Sequence, residues 1–466
     1  MQPFRMSAAA LLEAYRSGAL SPLETMRSVL DRVARFEPHI SATYLVCPER
    51  ALAEAKASEE RWRRGAPIGP LDGVPATVKD NVATKGDPVP VGTAASDTTP
   101  AAADAPPAAR LREAGAILFS KTTMPDYGML SSGLSSFHKL AHNPWNLARN
   151  PGGSSAGAAA AAAASYGPLH VGTDIGGSVR LPAGWCGLVG LKPSAGRVPI
   201  DPPYFGRVAG PLTRTAADAA LMMATLSQPD PRDYSSLEPR PLDWRVQPLD
   251  WRGLKVGLLI EAGCGDPPTP TVRREIERAA RDIAAAGAVV EPLAPFLTQE
   301  MLDGLDRFWR VRSLIDLNAL PAEKRAKVLP FIRAWAESAA GLDGETVFRG
   351  FSQMREMAKA TVEATLPYDF VVSPTAPDVA YPAEWAMPSD DPDNAMAHIG
   401  FTVAYNMSEQ PAATVNCGYD DDGLPIGLQI AGRRFDDLGV LSAAMAFEAM
   451  RAGEARPWPE PPNNQT

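Results

Sequence analysis

Four cysteines are spread across 466 residues, Cys47, Cys186, Cys264 and Cys417, and none falls at a metal-ligand or redox spacing. They read as free thiols of a reducing compartment, with Cys186 in its Gly-Trp-Cys-Gly setting as a small buried residue. The histidines, His39, His138, His142, His170 and His398, show no ligand spacing either, so each is assigned to the surface or to a satisfied core position. Long apolar runs are missing too. The patch Ala8 to Leu12 is interrupted by Glu13 and Arg16 before it could form a signal-peptide core, and no uncharged apolar stretch approaches the ~20 residues of a membrane span. A cytoplasmic location follows as the expectation. Positive charge is also scarce: a formal charge of −9 gives no electrostatic footprint for nucleic acid or an anionic membrane. The tight basic group Arg61 to Arg64 reads as a solvated helix end. Asn406-Met407-Ser408 and Asn464-Gln465-Thr466 match the glycosylation pattern, but without a secretory route they read as chance. There is no internal repeat and no domain-separating linker.

What remains is a chain long enough for a sizeable core, read as one compact domain. Residues 1–65 form a helical layer. Ser21, Pro22 and Glu24 write a capping box for a helix at about 22 to 36, and a second helix covers about Arg50 to Arg63. From Gly69 a turn-rich lead enters a short β-branched run, Ala76 to Val78, followed at once by Lys79. A helix at Ala105 to Ala114, a strand at Ala116 to Ser120 and a loop with Lys121 and Thr122 follow. This alternation predicts an α/β fold, a large mixed twisted sheet flanked by helices on both faces. Gly210 to Thr213 leads into a helix at about Ala216 to Leu226, and residues 228–252 read as a surface excursion. Strands and helices alternate again from Leu254. Residues 296–400 are helical and aromatic at first, then rich in proline, and Pro457 to Thr466 reads as a disordered tail.

The most unusual stretch is Gly152 to Arg180, GGSSAGAAAAAAASYGPLHVGTDIGGSVR. Two glycine-serine clusters, Gly152 to Ser155 and Gly176 to Ser178, flank an alanine-rich helix. Glycines let main-chain N–H groups approach a ligand closely, and the serines offer hydroxyls for nucleophilic or relay chemistry. A lysine ending a buried strand, as Lys79 does, is a base only when neutral, and burial favours the neutral form.

Taken in order, GPLDGVPATVKDNVATKG, RNPGGSSAGAAAAAAA, GTDIGGSVRLPAGWCGLVGLKPSAGRVP, GPLTRTAADAALMM, YDFVVSPTAP and QPAATVNCGYDDDGLPIGLQIAGRRFDD resemble the amidase signature family of serine amidohydrolases. The resemblance runs from about residue 66 to 437, with the core over 66–227. It implies Ser178 as nucleophile, Ser154 as relay serine on a cis peptide, Lys79 as base and Ser155 as a supporting hydroxyl. It implies further that Ile175, Gly176, Gly177 and Ser178 supply the N–H groups of an oxyanion hole, with no metal or organic cofactor. Asp174 and Arg180 are expected to tie the nucleophile loop together. The family commonly has glycine where this chain has Ala156. Substrates of the family include aliphatic and aryl amides, anilides, amino-acid amides and some esters and carbamates. The loop Met124 to His138 and the region 300 to 400 are expected to wall the pocket, and Phe308, Trp309, Phe331 and Trp335 point to an apolar or aryl amide. A homodimer is compatible with the family.

Two other readings stand beside this one. Gly153 to Gly157 also fits the G-x-S-x-G pattern of α/β-hydrolases, with Ser155 as nucleophile and His398 as its histidine, although a loop rather than a strand precedes it. Alternatively, the chain is an amidotransferase-type subunit that works with a partner, since such subunits share the signature.

Overall fold

The computed structural model describes residues 2–462. Its first layer is written by local chemistry. In the helix Pro22–Ile40 the Ser21 hydroxyl accepts from Glu24 N, while the Glu24 carboxylate accepts from Ser21 N at 2.8 Å. The buried side, including Met26, Val29, Val33 and Phe36, packs inward. The next helix, Pro48–Arg63, ends in the basic group, and here the solvated reading needs correction. Arg61 grips buried Asp72 with Nε at 2.9 Å and Nη2 at 2.5 Å, which ties this helix to the turn that feeds the sheet.

Eleven strands form one mixed sheet: β1 Thr43–Val46, β2 Pro75–Lys79, β3 Ile117–Thr122, β4 Leu169–Asp174, β5 Val189–Lys192, β6 Val208–Thr213, β7 Lys255–Leu258, β8 Val289–Pro292, β9 Phe370–Pro374, β10 Ala412–Tyr419 and β11 Pro425–Gly432. Their spatial order is β1-β3-β2-β4-β6-β5-β10-β11-β9-β7-β8. Both faces are covered. Leu118 joins one core cluster while Ile117 and Phe119 join another, and Val372 and Val371 divide in the same way on β9. Strands covered on both sides need no alternation of buried and exposed positions, and every residue of β2, β3, β4, β9 and β11 is buried.

The parallel trio β3-β2-β4 positions the site. Val78 of β2 pairs in register with Val171 of β4, so the two strands end side by side at Lys79 and at Thr173 and Asp174. The chain passes from β3 to β4 through the helix Ala156–Ala163, which packs on β2, β3, β4 and β6. Such a crossover returns the helix N-terminus to the carboxyl ends of the strands it covers. Every residue of this helix is buried, and a Cβ on Gly157 would lie 2.1 Å from Ala42 O and 2.4 Å from Thr123 N. Small side chains are therefore a steric requirement here.

Several expectations are overturned. Lys121 and Thr122 lie within β3 and are buried, not in a loop; the Lys121 ammonium donates to Val82 O at 3.0 Å. Gly210 to Thr213 does lead into the helix, but as part of β6, deep in the sheet, with Pro211 opposite Val171 and beyond the two-residue ladder to β5. The excursion at 228–252 has no helix or strand but is anchored by Trp244 and Trp251, both buried in the main core. Residues 457–462 are likewise held down, because Trp458 packs 5.9 Å from Trp145, Arg32 donates to Pro459 O at 2.7 Å, and Glu460 pairs with Arg5 and Arg32. The remainder of the predicted disordered tail, 463–466, lies outside the described residues. No helix among the described residues is long and apolar enough to cross a membrane.

Candidate active site

Lys79 ends β2 with no solvent exposure, and its only partners among the described residues are hydroxyls. Its Nζ lies 2.7 Å from Ser154 Oγ, 3.1 Å from Ser155 Oγ and 3.0 Å from Thr173 Oγ1. Burial lowers its pKa well below the ordinary lysine value, and the charge of Arg207 acts in the same direction against the weaker pull of Asp174 and Asp80. Ser154 follows a cis peptide from Gly153, and Ser155 precedes the first turn of the alanine helix. The Ser155 hydroxyl is fixed in turn, donating to Thr173 O and accepting from Thr173 N, each at 3.2 Å. Ala156, the departure from the family pattern, is fully buried at the helix start and leaves the Lys79 contact to Ser154 short.

Ser178 stands on a turn that begins where β4 ends. Its amide neighbours are organised by Asp174, whose Oδ1 accepts from Gly177 N at 2.9 Å and whose Oδ2 accepts from Val179 N at 3.0 Å. Asp174 also receives Arg180 through Nε at 3.1 Å and Nη2 at 2.9 Å, and Asn406 Nδ2 at 2.9 Å. Burial alone would raise the Asp174 pKa, but the Arg180 charge and these hydrogen bonds outweigh it and hold the carboxyl below the usual carboxylate range. Arg180 continues to Thr402 O at 2.8 Å, Gln429 Oε1 at 2.7 Å and Asn406 Oδ1 at 2.6 Å. Because this ion pair is wholly buried, Arg180→Met is expected to cost about 3–5 kcal/mol of stability by leaving a buried charge without its partner. A urea midpoint shift equivalent to less than about 1 kcal/mol would show that the pair is dispensable.

The Gly177 N–H is thus already committed to Asp174, contrary to its expected place in an oxyanion hole. The N–H groups of Ile175, Gly176 and Ser178 have no acceptor among the described residues. At φ +133° Gly177 takes a conformation that favours glycine, and a Cβ there would lie 2.6 Å from Thr402 Oγ1. That same hydroxyl donates to Gly176 O at 2.6 Å, pinning the turn from outside.

Ser178, Ile175 and Gly176 open into a cavity of about 80 Å³. The loop Met124 to His138 supplies Tyr127, Met129, Leu130 and Ser131 to its walls, and the 300 to 400 region supplies Trp309, Trp335, Met387, Met396 and Ile399. Phe308 and Phe331 pack into the helical core instead. Among the described residues Arg312 is the one cationic lining residue, stacked 4.2 Å from the Tyr204 ring, and no lining residue is an aspartate or glutamate. His398 does not meet Ser155. Its Nε2 lies 2.7 Å from Ser131 Oγ, which removes the histidine that an α/β-hydrolase site at Ser155 would need.

Sequence reasoning missed Thr173, Thr402, Asn406 and Gln429. Asn406 entered only as a chance glycosylation match, Thr173 and Gln429 lie inside family-like segments without being singled out there, and Thr402 lies outside those segments. Topology brings them in, through the end of β4, the helix Gly400–Met407 and β11.

The amidase family model matches residues 24–441. A glutamyl-tRNA(Gln) amidotransferase subunit from Anaeromyxobacter dehalogenans (strain 2CP-C) is 34% identical over 95% of this chain and 95% of its own. The acylamidase of Rhodococcus erythropolis is 32% identical, covering 97% and 96% of the two chains. Among solved structures, a bacterial aryl acylamidase of the amidase signature family superposes with a TM-score of 0.88 at 30% identity, over 96% of each chain. With the family matched across most of its length and the same fold around its glycine-serine turns, the chain belongs to the amidase signature family and is an amide-hydrolysing enzyme.

Proposed function

We propose that the chain is a stand-alone amidase that cleaves a small apolar or aryl amide through an acyl-enzyme on Ser178, with Ser154 as proton relay and neutral Lys79 as general base. The observation that carries this reading is the set of Lys79 contacts. A neutral amine has two N–H donors and one lone pair. Two donors suit Ser155 and Thr173, and the lone pair then receives the Ser154 O–H. Ser154 Oγ is left free to accept a proton from Ser178 while passing its own to Lys79. An ammonium would donate to all three hydroxyls instead, and it is the complete burial of Lys79, with no carboxylate bonded to Nζ among the described residues, that favours the neutral form.

In the forward step Ser178 Oγ attacks the carbonyl carbon as its proton moves to Ser154 and that of Ser154 moves to Lys79. The carbonyl oxygen becomes an oxyanion that the N–H groups of Ile175, Gly176 and Ser178 are free to receive. Collapse breaks the carbon-nitrogen bond as the proton returns through Ser154 to the departing amine. Water then attacks the ester by the same relay, releasing the acid and restoring Ser178. No step requires a metal or an organic cofactor.

Aromatic rings and methionines dominate the cavity walls, which suits an apolar acyl or aryl group. The absence of a lining carboxylate disfavours a free amino-acid amide such as glutamine, whose ammonium would be desolvated without a counter-charge. Several of the similar chains are amidotransferase subunits, so the partner-dependent reading needs a direct test. The purified chain alone, with neither ATP nor a second protein, is expected to hydrolyse anilides and benzamide in preference to glutamine. Glutaminase activity that appears only with a partner would decide for the amidotransferase reading.

A further inference from the structure

Beside the Lys79 relay, the cavity is lined by a hydroxyl that the proposed chemistry leaves unused, that of Ser131, and His398 stands behind it outside the cavity wall. Ser131 lines the cavity with Ser178, and its hydroxyl lies 2.7 Å from His398 Nε2. Both side chains are buried, and Trp185 stacks on the histidine ring with centroids 6.4 Å apart. Burial lowers the His398 pKa to about 3, against a smaller opposing effect from a hydrogen bond to the Ala395 backbone, so the ring is neutral at working pH. In the neutral tautomer that carries its proton on the other ring nitrogen, Nε2 is the acceptor and the Ser131 O–H its donor. The remaining lone pairs of Ser131 Oγ are then available to the cavity as acceptors. Its backbone is fixed as well, because Ser131 N donates to Met387 Sδ and Tyr381 donates to Ser131 O.

The position of Ser131 relates it to the leaving group. A Cβ on Gly153 would lie 2.4 Å from Ser132 N and 2.8 Å from the Ser131 carbonyl carbon, so this loop lies directly against the residue before Ser154. Gly128, earlier in the same loop, faces Ser154 itself: its added Cβ would be 3.3 Å from Ser154 Oγ. Ser131 is therefore on the side of the cavity where the relay returns its proton. The departing nitrogen must turn its lone pair to Ser154, and its own N–H, shed of water, needs a different acceptor.

We propose that Ser131 accepts the N–H of the scissile amide, with His398 as the positioning residue that holds its hydroxyl hydrogen away, so that the pair selects N–H-bearing amides over esters. This rests on Ser178 being the nucleophile and Ser154 the relay. The test compares an anilide and an ester that share one acyl group and a 4-nitrophenyl chromophore, read as kcat/KM, which reports acylation in both cases. Ser131→Ala is expected to lower the anilide value about 10- to 100-fold while the ester changes by less than about 3-fold. His398→Leu should show the same selective loss, and His398→Gln, which keeps an acceptor for the Ser131 O–H, should recover part of it.

Equal loss on anilide and ester, or no loss on either, would overturn the assignment; the ester rate also shows whether each variant is folded. Ser178→Ala run alongside separates the two possible failures. If it is inactive while Ser131→Ala slows both substrates alike, only the role of Ser131 falls. If Ser178→Ala turns over normally and Ser131→Ala does not, both readings fall, and the histidine-bonded Ser131 becomes the nucleophile.

Discussion

Ser178→Ala is expected to lower amide turnover by at least about 10⁴-fold, the scale on which loss of a nucleophilic serine removes covalent catalysis while binding and oxyanion contacts persist. The fold should not notice. Ser178 is only partly buried and no side-chain hydrogen bond of its hydroxyl is present among the described residues, so the melting curve should move by no more than about 0.5 kcal/mol equivalent. Loss of activity together with loss of structure would instead mark Ser178 as part of the loop scaffold. The neighbouring Arg180→Met variant gives the contrast, because there the stability loss should be large and should precede any conclusion about catalysis.

Lys79→Met is expected to be nearly as damaging to turnover, and the pH profile of the parent carries the sign of the effect. A neutral lysine is the active form, so kcat/KM should fall as pH falls through the depressed Lys79 pKa and stay level above it. Stability gives an independent reading. The unfolded chain binds a proton at Lys79 below about pH 10, whereas the folded chain does not until the lowered value is reached. Across that window the parent should lose stability relative to Lys79→Met as pH falls, and the difference should level off once the folded lysine is protonated. An acid-insensitive rate together with a pH-independent stability difference would mean that Lys79 is charged in the folded enzyme and does not serve as a base.

How much of this was legible beforehand depended on whether a residue's role was local. The capping box at Ser21 and Glu24 and the alanine helix are short-range patterns, and they fold where the sequence places them. Lys79, Ser154, Ser155 and Ser178 were legible because each lies in a motif, although Lys79 and Ser154 are separated by 75 residues and meet only through the register of β2 with β4. The strand at Gly210 and Pro211 was not legible, since a Gly-Pro dipeptide placed in a sheet interior is a tertiary outcome. Trp244, Trp251 and Trp458 show the same limit from the other side: polar, proline-rich surroundings concealed single aromatic anchors. The commitment of Gly177 N–H to Asp174 could not be read from spacing either, because it depends on how the turn after β4 closes around a buried ion pair. His398 was legible as a histidine of interest but not its partner, which comes from a loop 267 residues away.

Acid quenching during turnover of an activated 4-nitrophenyl ester, followed by intact mass and peptide mapping, places the covalent intermediate directly. One acyl group on the peptide carrying Ser178, absent from Ser178→Ala, is the predicted result. An acyl group on Ser131 or Ser155, or turnover of that ester by Ser178→Ala at the parent rate, would contradict it.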